Sequence, residues 1–347
     1  MTLLATLGID LPIIQAPMAS VSSPAMAAAV SNAGALGSVG VGATDAQGAR
    51  KMIAAVRERS LRSVNVNVFC HQPARADAEL EAAWLERLRP HFERLGAKPP
   101  GHLRELYRSF LQDDAMLAAL LAEKPRVVSF HFGLPASERI RALRDAGIVL
   151  LASATTVAEG RAAAKAGVHA VVAQGYEAGG HRGLFDPDAD DDCLGTLALT
   201  RLLVRQLDIP IVAAGGMMDG AAISAALRLG AAAAQLGTAF VACPESEADP
   251  GYRAALASDA ANHTVVTRAI SGRPARCLRN SFTQLGQAVP ARQIPAYPIA
   301  YDAGKALNAA AKAANESGYG AQWAGQGAPL ARALPAAELV ATLAREL

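Results

Sequence analysis

Short apolar runs recur along the chain, each ending in a polar or glycine residue and followed by a longer stretch of helical period. They cover residues 12–18, 35–42, 62–69, 126–133, 148–153, 170–175, 211–216 and 233–241. Between most of them lie Ala-, Arg- and Leu-rich segments such as 23–32, 156–166 and 220–229. Runs of four to eight apolar residues alternating with helices predict a parallel sheet with crossover helices. About eight such units point to an α/β fold closed into a (β/α)₈ TIM barrel. A doubly wound open sheet is the runner-up, but no GxGxxG follows the first run.

In a closed barrel the strands' C-terminal ends build the active site. Here those ends carry Gln15, Asn67, His131, Ser153, Gln174 and Gly216. Two segments exceed ordinary loops. Residues 70–124 are charged, helical in pattern and broken by Pro99-Pro100-Gly101, and the stretch near 243–326 has weak periodicity and many polar residues. Long insertions at a catalytic face commonly cover the site. The expected organisation is a barrel over 1–242 with its helical insertion, a mainly helical substrate-covering subdomain over 243–326, and a C-terminal helix in 327–347 returning to the barrel.

Composition narrows the classes. Apolar residues make up 52% of the chain but aromatics only 5%, so small and β-branched side chains dominate and suit tight helix–sheet packing. A net charge of +2 is too small to argue for nucleic acid or an anionic membrane surface. No apolar stretch reaches about 18 residues, and the N-terminus has no basic leader. The four cysteines, Cys70, Cys193, Cys243 and Cys277, are widely spaced and form no CxxC, so neither a disulfide framework nor a zinc site is expected. A cytoplasmic protein, monomer or homodimer, is the expectation. The acidic run 186–192 reads as a solvated loop, with no metal expected.

Candidate chemistry concentrates late in the barrel. Gly215-Gly216 ends the seventh run, Asp219-Gly220 opens a helix, and Gln235-Leu236-Gly237-Thr238 lies on the eighth. Glycines let backbone approach a ligand, and helix starts favour a phosphate. No Walker Lys-Ser/Thr pair accompanies them, which disfavours a nucleoside triphosphate. The residues alone do not separate a flavin from a sugar phosphate. After the sixth run stands Gln174-Gly175-Tyr176-Glu177-Ala178-Gly179-Gly180-His181-Arg182-Gly183, where His181 occupies a catalytic position with an acid–base group suited to neutral pH. His71, His91, His102, His169 and His263 show no ligand spacing, and no cysteine has a partner base, although Cys70 lies near the presumed mouth.

The segments PIIQAPMA (12–19), NAGALGSVG (32–40), Asn67-Val68-Phe69, QGYEAGGHRG (174–183), AAGG and QLGT together resemble the nitronate monooxygenases. Ser129-Phe130-His131-Phe132-Gly133 and Tyr297-Pro298-Ile299-Ala300-Tyr301-Asp302-Ala303-Gly304-Lys305 are similar to the bacterial class I subgroup. The resemblance runs in order along nearly the whole chain. It implies FMN across the barrel mouth, with Pro17, Met18 and Ala19 along the isoalloxazine ring and Asn67 and Gln174 bonded to it. Gly179, Gly180, Gly215, Gly216 and Gln235, Leu236, Gly237 and Thr238 would hold the cofactor's phosphate end. The implied reaction is oxidation of an alkyl nitronate, such as propionate 3-nitronate, by O₂ through a flavin semiquinone to a carbonyl compound plus nitrite or nitrate. His181 matches the family's active-site histidine, as base or as anion-binding acid, and His131 is a second donor candidate. Tyr107, Tyr297, Tyr301 and Lys305 would serve the anionic substrate. In a helix, residues 297, 301 and 305 share one face, with Pro298 in the first turn. An NAD(P)H-dependent flavin reductase (of quinones or enoyl thioesters) on the same barrel, and a non-catalytic flavin-binding barrel, remain alternatives.

Overall fold

The computed structural model describes residues 2–347. Its strands are β1 (Ile13–Gln15), β2 (Gly37–Gly40), β3 (Val64–Phe69), β4 (Val127–His131), β5 (Val149–Ala154), β6 (Ala170–Gln174), β7 (Gly180–His181), β8 (Ile211–Ala214), β9 (Ala233–Leu236), β10 (Thr264–Thr267) and β11 (Ala275–Leu278). Eight of them form one parallel sheet in the order β1-β9-β8-β6-β5-β4-β3-β2. Ile14 and Leu36 bridge its two ends, where Gln15 N–H donates to the Leu36 carbonyl at 2.9 Å. The sheet is therefore a nearly closed TIM barrel, as the alternation predicts.

Period-2 alternation sorts the side chains. Val64, Val66, Val68, Val128, Phe130, Leu150, Ala152, Val171 and Ala173 point outward into the helix layer. The opposite set fills the barrel: Val127, Val149, Leu151, Ala170, Val172 and Val212, sealed at the bottom by Leu3 and Leu7 of the short helix Leu3–Leu7. Continuing the inward set upward gives Asn67, Ser129, His131, Ser153 and Gln174, so the apolar plug gives way to polar groups at the mouth. All of these line the same cavity.

Several boundaries differ from the sequence expectation. The first run is strand only over Ile13–Gln15, because Pro17 has no N–H and the Met18 amide goes to Ser22 Oγ at 3.0 Å. The last run leaves the sheet at Gly237 and continues as a helical turn, Thr238–Val241. The helix after Pro298 starts at Ile299, with Pro298 as N-cap rather than in the first turn. Tyr297 therefore precedes the helical face that carries Tyr301 and Lys305.

A second sheet was not anticipated. β10, β11 and β7 pair antiparallel, with His181 opposite Ala275 and Gly180 opposite Arg276. The two long segments also share a core: Trp84, Leu88 and Phe92 of the helix Ala78–Arg94 pack with Phe282, Ile299 and Leu307. Leu339, Val340 and Leu343 of the helix Ala336–Arg345 pack on Met26, Val30 and Ile223 of the barrel. No helix among the described residues is long and apolar enough to cross a membrane.

Candidate active site

The mouth opens into a cavity of about 1370 Å³, counting its solvent opening. Pro17, Met18 and Ala19 on the loop after β1, Asn67, Gln174, Gly179, Gly180, Gly215, Gly216 and Gln235 to Thr238 all lie on its wall. So do His131, His181, Tyr107, Tyr297 and Tyr301. Lys305 is exposed and stands behind that wall, with its ammonium 4.8 Å from the Tyr107 ring and 5.2 Å from Tyr301.

At one end the backbone is the binding group. Among the described residues, the N–H groups of Gly179, Gly216, Gly237 and Thr238 have no protein acceptor. Gly216 adopts φ +72°, which turns the chain after β8. Gly179 lies so close to Ala324 and Gly325 that a Cβ there would come within 2.5 Å of the Gly325 nitrogen. Unpaired amides in a glycine-lined recess fit a phosphate. One expected contributor is absent. The helix start at Gly220 is engaged by the protein's own carboxylates: Asp219 accepts from Ala222 N–H at 2.8 Å and Glu346 from Gly220 N–H at 2.9 Å.

At the other end aromatic rings converge on His181. Its ring centroid lies 5.1 Å from Trp323, 5.4 Å from Tyr297 and 6.2 Å from Tyr301, and Tyr107 is 6.3 Å from Tyr297. The charged insertion thus delivers Tyr107 to the tyrosines of the C-terminal segment. Burial pushes the phenols up, Tyr301 to about 12 and Tyr297 well above its usual value, so they remain neutral donors.

His181 Nε2 lies 2.9 Å from Ser271 Oγ, whose hydroxyl also reaches the Arg273 carbonyl at 3.3 Å. If the hydroxyl proton goes to that carbonyl, Nε2 carries the imidazole proton and Nδ1 keeps its lone pair. Burial holds the His181 pKa well below the ordinary imidazole value, and the Arg273 charge lowers it further. His181 is therefore neutral at pH 7 in the free protein.

Polar groups around it act as supports. Gln174 Nε2 donates to the His181 carbonyl at 3.0 Å, while its Oε1 accepts from Gly183 N–H at 2.7 Å. Its amide thus braces the histidine loop from the cavity wall. Asn67 anchors through Nδ2 to Ser129 Oγ at 2.9 Å. His131 Nε2 is 3.3 Å from the His181 carbonyl, an obligate acceptor, so that nitrogen carries the proton. His131 Nδ1 then accepts from Ser153 Oγ at 2.9 Å. Both ring nitrogens are engaged in the free protein, so His131 props the loop that carries His181 while lining the cavity.

Sequence reasoning missed Ser271, Arg273 and Trp323, which come from a segment without periodicity, and it set His71 aside. His71 is buried edge-on to Tyr297 at 5.0 Å, and its ring nitrogens have no partner among the described residues. Cys70 is wholly buried and its thiol pKa is pushed up by desolvation, so it is no nucleophile. The acidic loop is not simply solvated: Asp191 pairs bidentately with the buried Arg182 at 2.7 and 2.8 Å.

Burial, with the Arg273 charge second, lowers both His71 and His131 to about 4, against 6.5 for a free imidazole. The unfolded chain therefore binds more protons between those values. The stabilisation is complete above about pH 6.5 and is lost as pH falls towards 4. The expected result is a Tm lower by about 5 °C or more at pH 5 than at pH 7. Calorimetry on wild type and His131→Gln checks it, with the variant showing the shallower slope.

Fold and geometry define a class: TIM barrels whose strand ends and long insertions enclose a large cavity at the C-terminal mouth. Comparison with known proteins narrows that class. The family model for nitronate monooxygenase matches residues 1–346. The nitronate monooxygenase of Paraburkholderia phytofirmans is 64% identical over 345 residues, covering 99% of this chain and 94% of the relative. That of Pseudomonas aeruginosa is 53% identical over 343 residues, covering 98% and 97%. Among solved structures, nitroalkane oxidase from Streptomyces ansochromogenes superposes with TM-score 0.90 at 42% identity, covering 99% of this chain and 97% of that one. FabK from Thermotoga maritima gives TM-score 0.73 at 28% identity, with 99% and 94% covered. The chain belongs to the nitronate monooxygenase family, flavin-dependent oxidoreductases acting on small-molecule substrates.

Proposed function

We propose that this protein binds FMN across the barrel mouth and oxidises alkyl nitronates such as propionate 3-nitronate with O₂, yielding a carbonyl compound and nitrite or nitrate. The observation that carries it is one continuous cavity with unpaired backbone amides at one end and His181 among tyrosines at the other. FMN, when bound, supplies the electron acceptor that hands electrons to oxygen. Gly179, Gly216, Gly237 and Thr238 hold its phosphate, with Gly180, Gly215, Gln235 and Leu236 shaping that wall. Pro17, Met18, Ala19 and Asn67 line its ring.

The protein's own groups do the rest. Neutral phenols of Tyr107, Tyr297 and Tyr301 donate to the nitronate oxygens. Neutral His181 accepts a proton at Nδ1 from a nitroalkane; when the substrate arrives as the nitronate the phenols hold the anion and His181 stays neutral. Trp323 and Phe132 limit water at that end. The insertion 70–124 and the segment 243–326 act as the substrate cover on the barrel 1–242, with 327–347 returning to it.

Anaerobic addition of propionate 3-nitronate to the flavin-loaded protein tests the reading. Rapid loss of the oxidised flavin band without nicotinamide supports it. A flavin that ignores nitronate but bleaches with NADH or NADPH replaces it with the reductase.

A further inference from the structure

Arg273, between β10 and β11, is 2% exposed and lies against Phe132, behind the cavity's lining. Among the described residues no carboxylate pairs with it. Its Nη2 donates to the Leu184 carbonyl, and its Nε has no partner. Other buried arginines nearby are matched: Arg182 by Asp191, and Arg276 by the Tyr176 carbonyl and Thr264. An unpaired cation taken out of water is costly, and a fold keeps one where something else in the site offsets it.

The guanidinium lies 4.2 Å from the centroid of the Phe132 ring. Phe132 in turn meets His181 at 5.6 Å and Tyr297 at 5.4 Å. Phe132 itself is held at φ +74°, a conformation a phenylalanine keeps only when its surroundings impose it. The charge thus sits one aromatic ring behind the place where the substrate head group is read.

We propose that Arg273 is a positioning residue: the fixed positive charge that draws an anionic, planar substrate head to the His181–tyrosine end of the cavity, given the nitronate reading on which this rests. The other ionisable groups around it leave that role to it. Burial first, and the Arg273 charge in addition, keep His71, His131 and His181 neutral. Burial lowers Arg273 only to about 10, so it stays charged at pH 7. Lys305 is exposed, and its field is weakened by solvent. The acids that bear on the guanidinium, Glu159 and Asp186, are otherwise engaged: Glu159 accepts from Phe185 N–H at 2.7 Å and Asp186 from Asp188 N–H at 2.9 Å. Across low-dielectric protein a unit charge at this range acts strongly on an anion.

The test uses the full-length, flavin-loaded enzyme and its Arg273→Met and Arg273→Lys variants. Turnover of propionate 3-nitronate is measured, and so is binding of nitrate, an inert planar anion, through the visible spectrum of the bound flavin. In the Met variant, KM for nitronate and Kd for nitrate are expected to rise roughly tenfold or more, with kcat changed by less than about threefold. The Lys variant, which keeps the charge, is expected to restore most of both affinities. A Met variant that binds nitrate as wild type does overturns the proposal. So does an equal loss of kcat in both variants without loss of nitrate affinity, the pattern of a residue that only pins Leu184. If the Met variant does not hold flavin, the wild type still decides: nitrate must compete with nitronate, and failure to compete overturns the proposal. A wild type that binds nitrate but leaves nitronate unreacted supports the anion site and removes the substrate reading instead.

Discussion

Replacing His181 with alanine is expected to lower kcat/KM for neutral nitroalkanes, whose α-proton it removes, by about 10²–10⁴, the usual contribution of a positioned acid–base group. The side chain is the polar centre of the aromatic end, and its ring packs edge-on to Phe132 and Tyr297. Its tautomer is set by Ser271, so Ser271→Ala is expected to cost less, about tenfold, by releasing the ring without removing it. Because His181 is held neutral by burial, kcat/KM in the wild type is expected to stay level through pH 6.5, where a solvated imidazole would titrate. Stopped-flow reduction of the bound flavin by a nitroalkane, recorded from pH 5.5 to 8 (~0.5 steps), measures both effects. Unchanged reduction in the alanine variant would remove His181 from the chemistry.

Gly179→Ala is expected to abolish cofactor retention, raising the flavin Kd by about a hundredfold or more. The added Cβ would lie 2.5 Å from the Gly325 nitrogen and 2.6 Å from the Ala324 carbonyl carbon. Both are backbone, so no side chain can swing aside. Relief requires the 178–180 turn to separate from the 324–325 strand of chain, and that seam carries the Gly179 amide at the phosphate end. Gly101→Ala is the control, since its Cβ would meet nothing within 4 Å and it lies outside the cavity lining. Flavin content after gel filtration and fluorescence titration with FMN compare the two. Equal retention would separate the seam from the cofactor site.

The barrel was legible in the sequence because parallel strands buried on both faces leave apolar runs, and their crossover helices leave a second period between them. Asn67, His131, Ser153 and Gln174 were legible as strand-end polar residues for the same reason: the inward face must become polar where the plug ends. His181 stood out through its glycine-rich loop. Boundaries were less legible. The run 233–241 reads as one apolar strand, yet Gly237 breaks it into strand and helical turn, and apolar composition does not distinguish the two.

Partnerships at long sequence separation were not legible. His181 is held by Ser271, β7 by β11, and Tyr107 meets Tyr297, across spans that no local pattern encodes. The Gly220 helix start reads as an anion site in sequence, but Glu346, 126 residues away, engages it. Arg273 reads as one more surface arginine in a polar stretch until the fold buries it behind Phe132. By itself the sequence determined the barrel, the glycine recess, the histidine loop and the family, because period, turn chemistry and motif are local properties of the chain. Only the tertiary structure decided which polar groups are braced, which stay free, and which charge is left unpaired, because hydrogen-bond partners and burial are set by what the folded chain brings alongside.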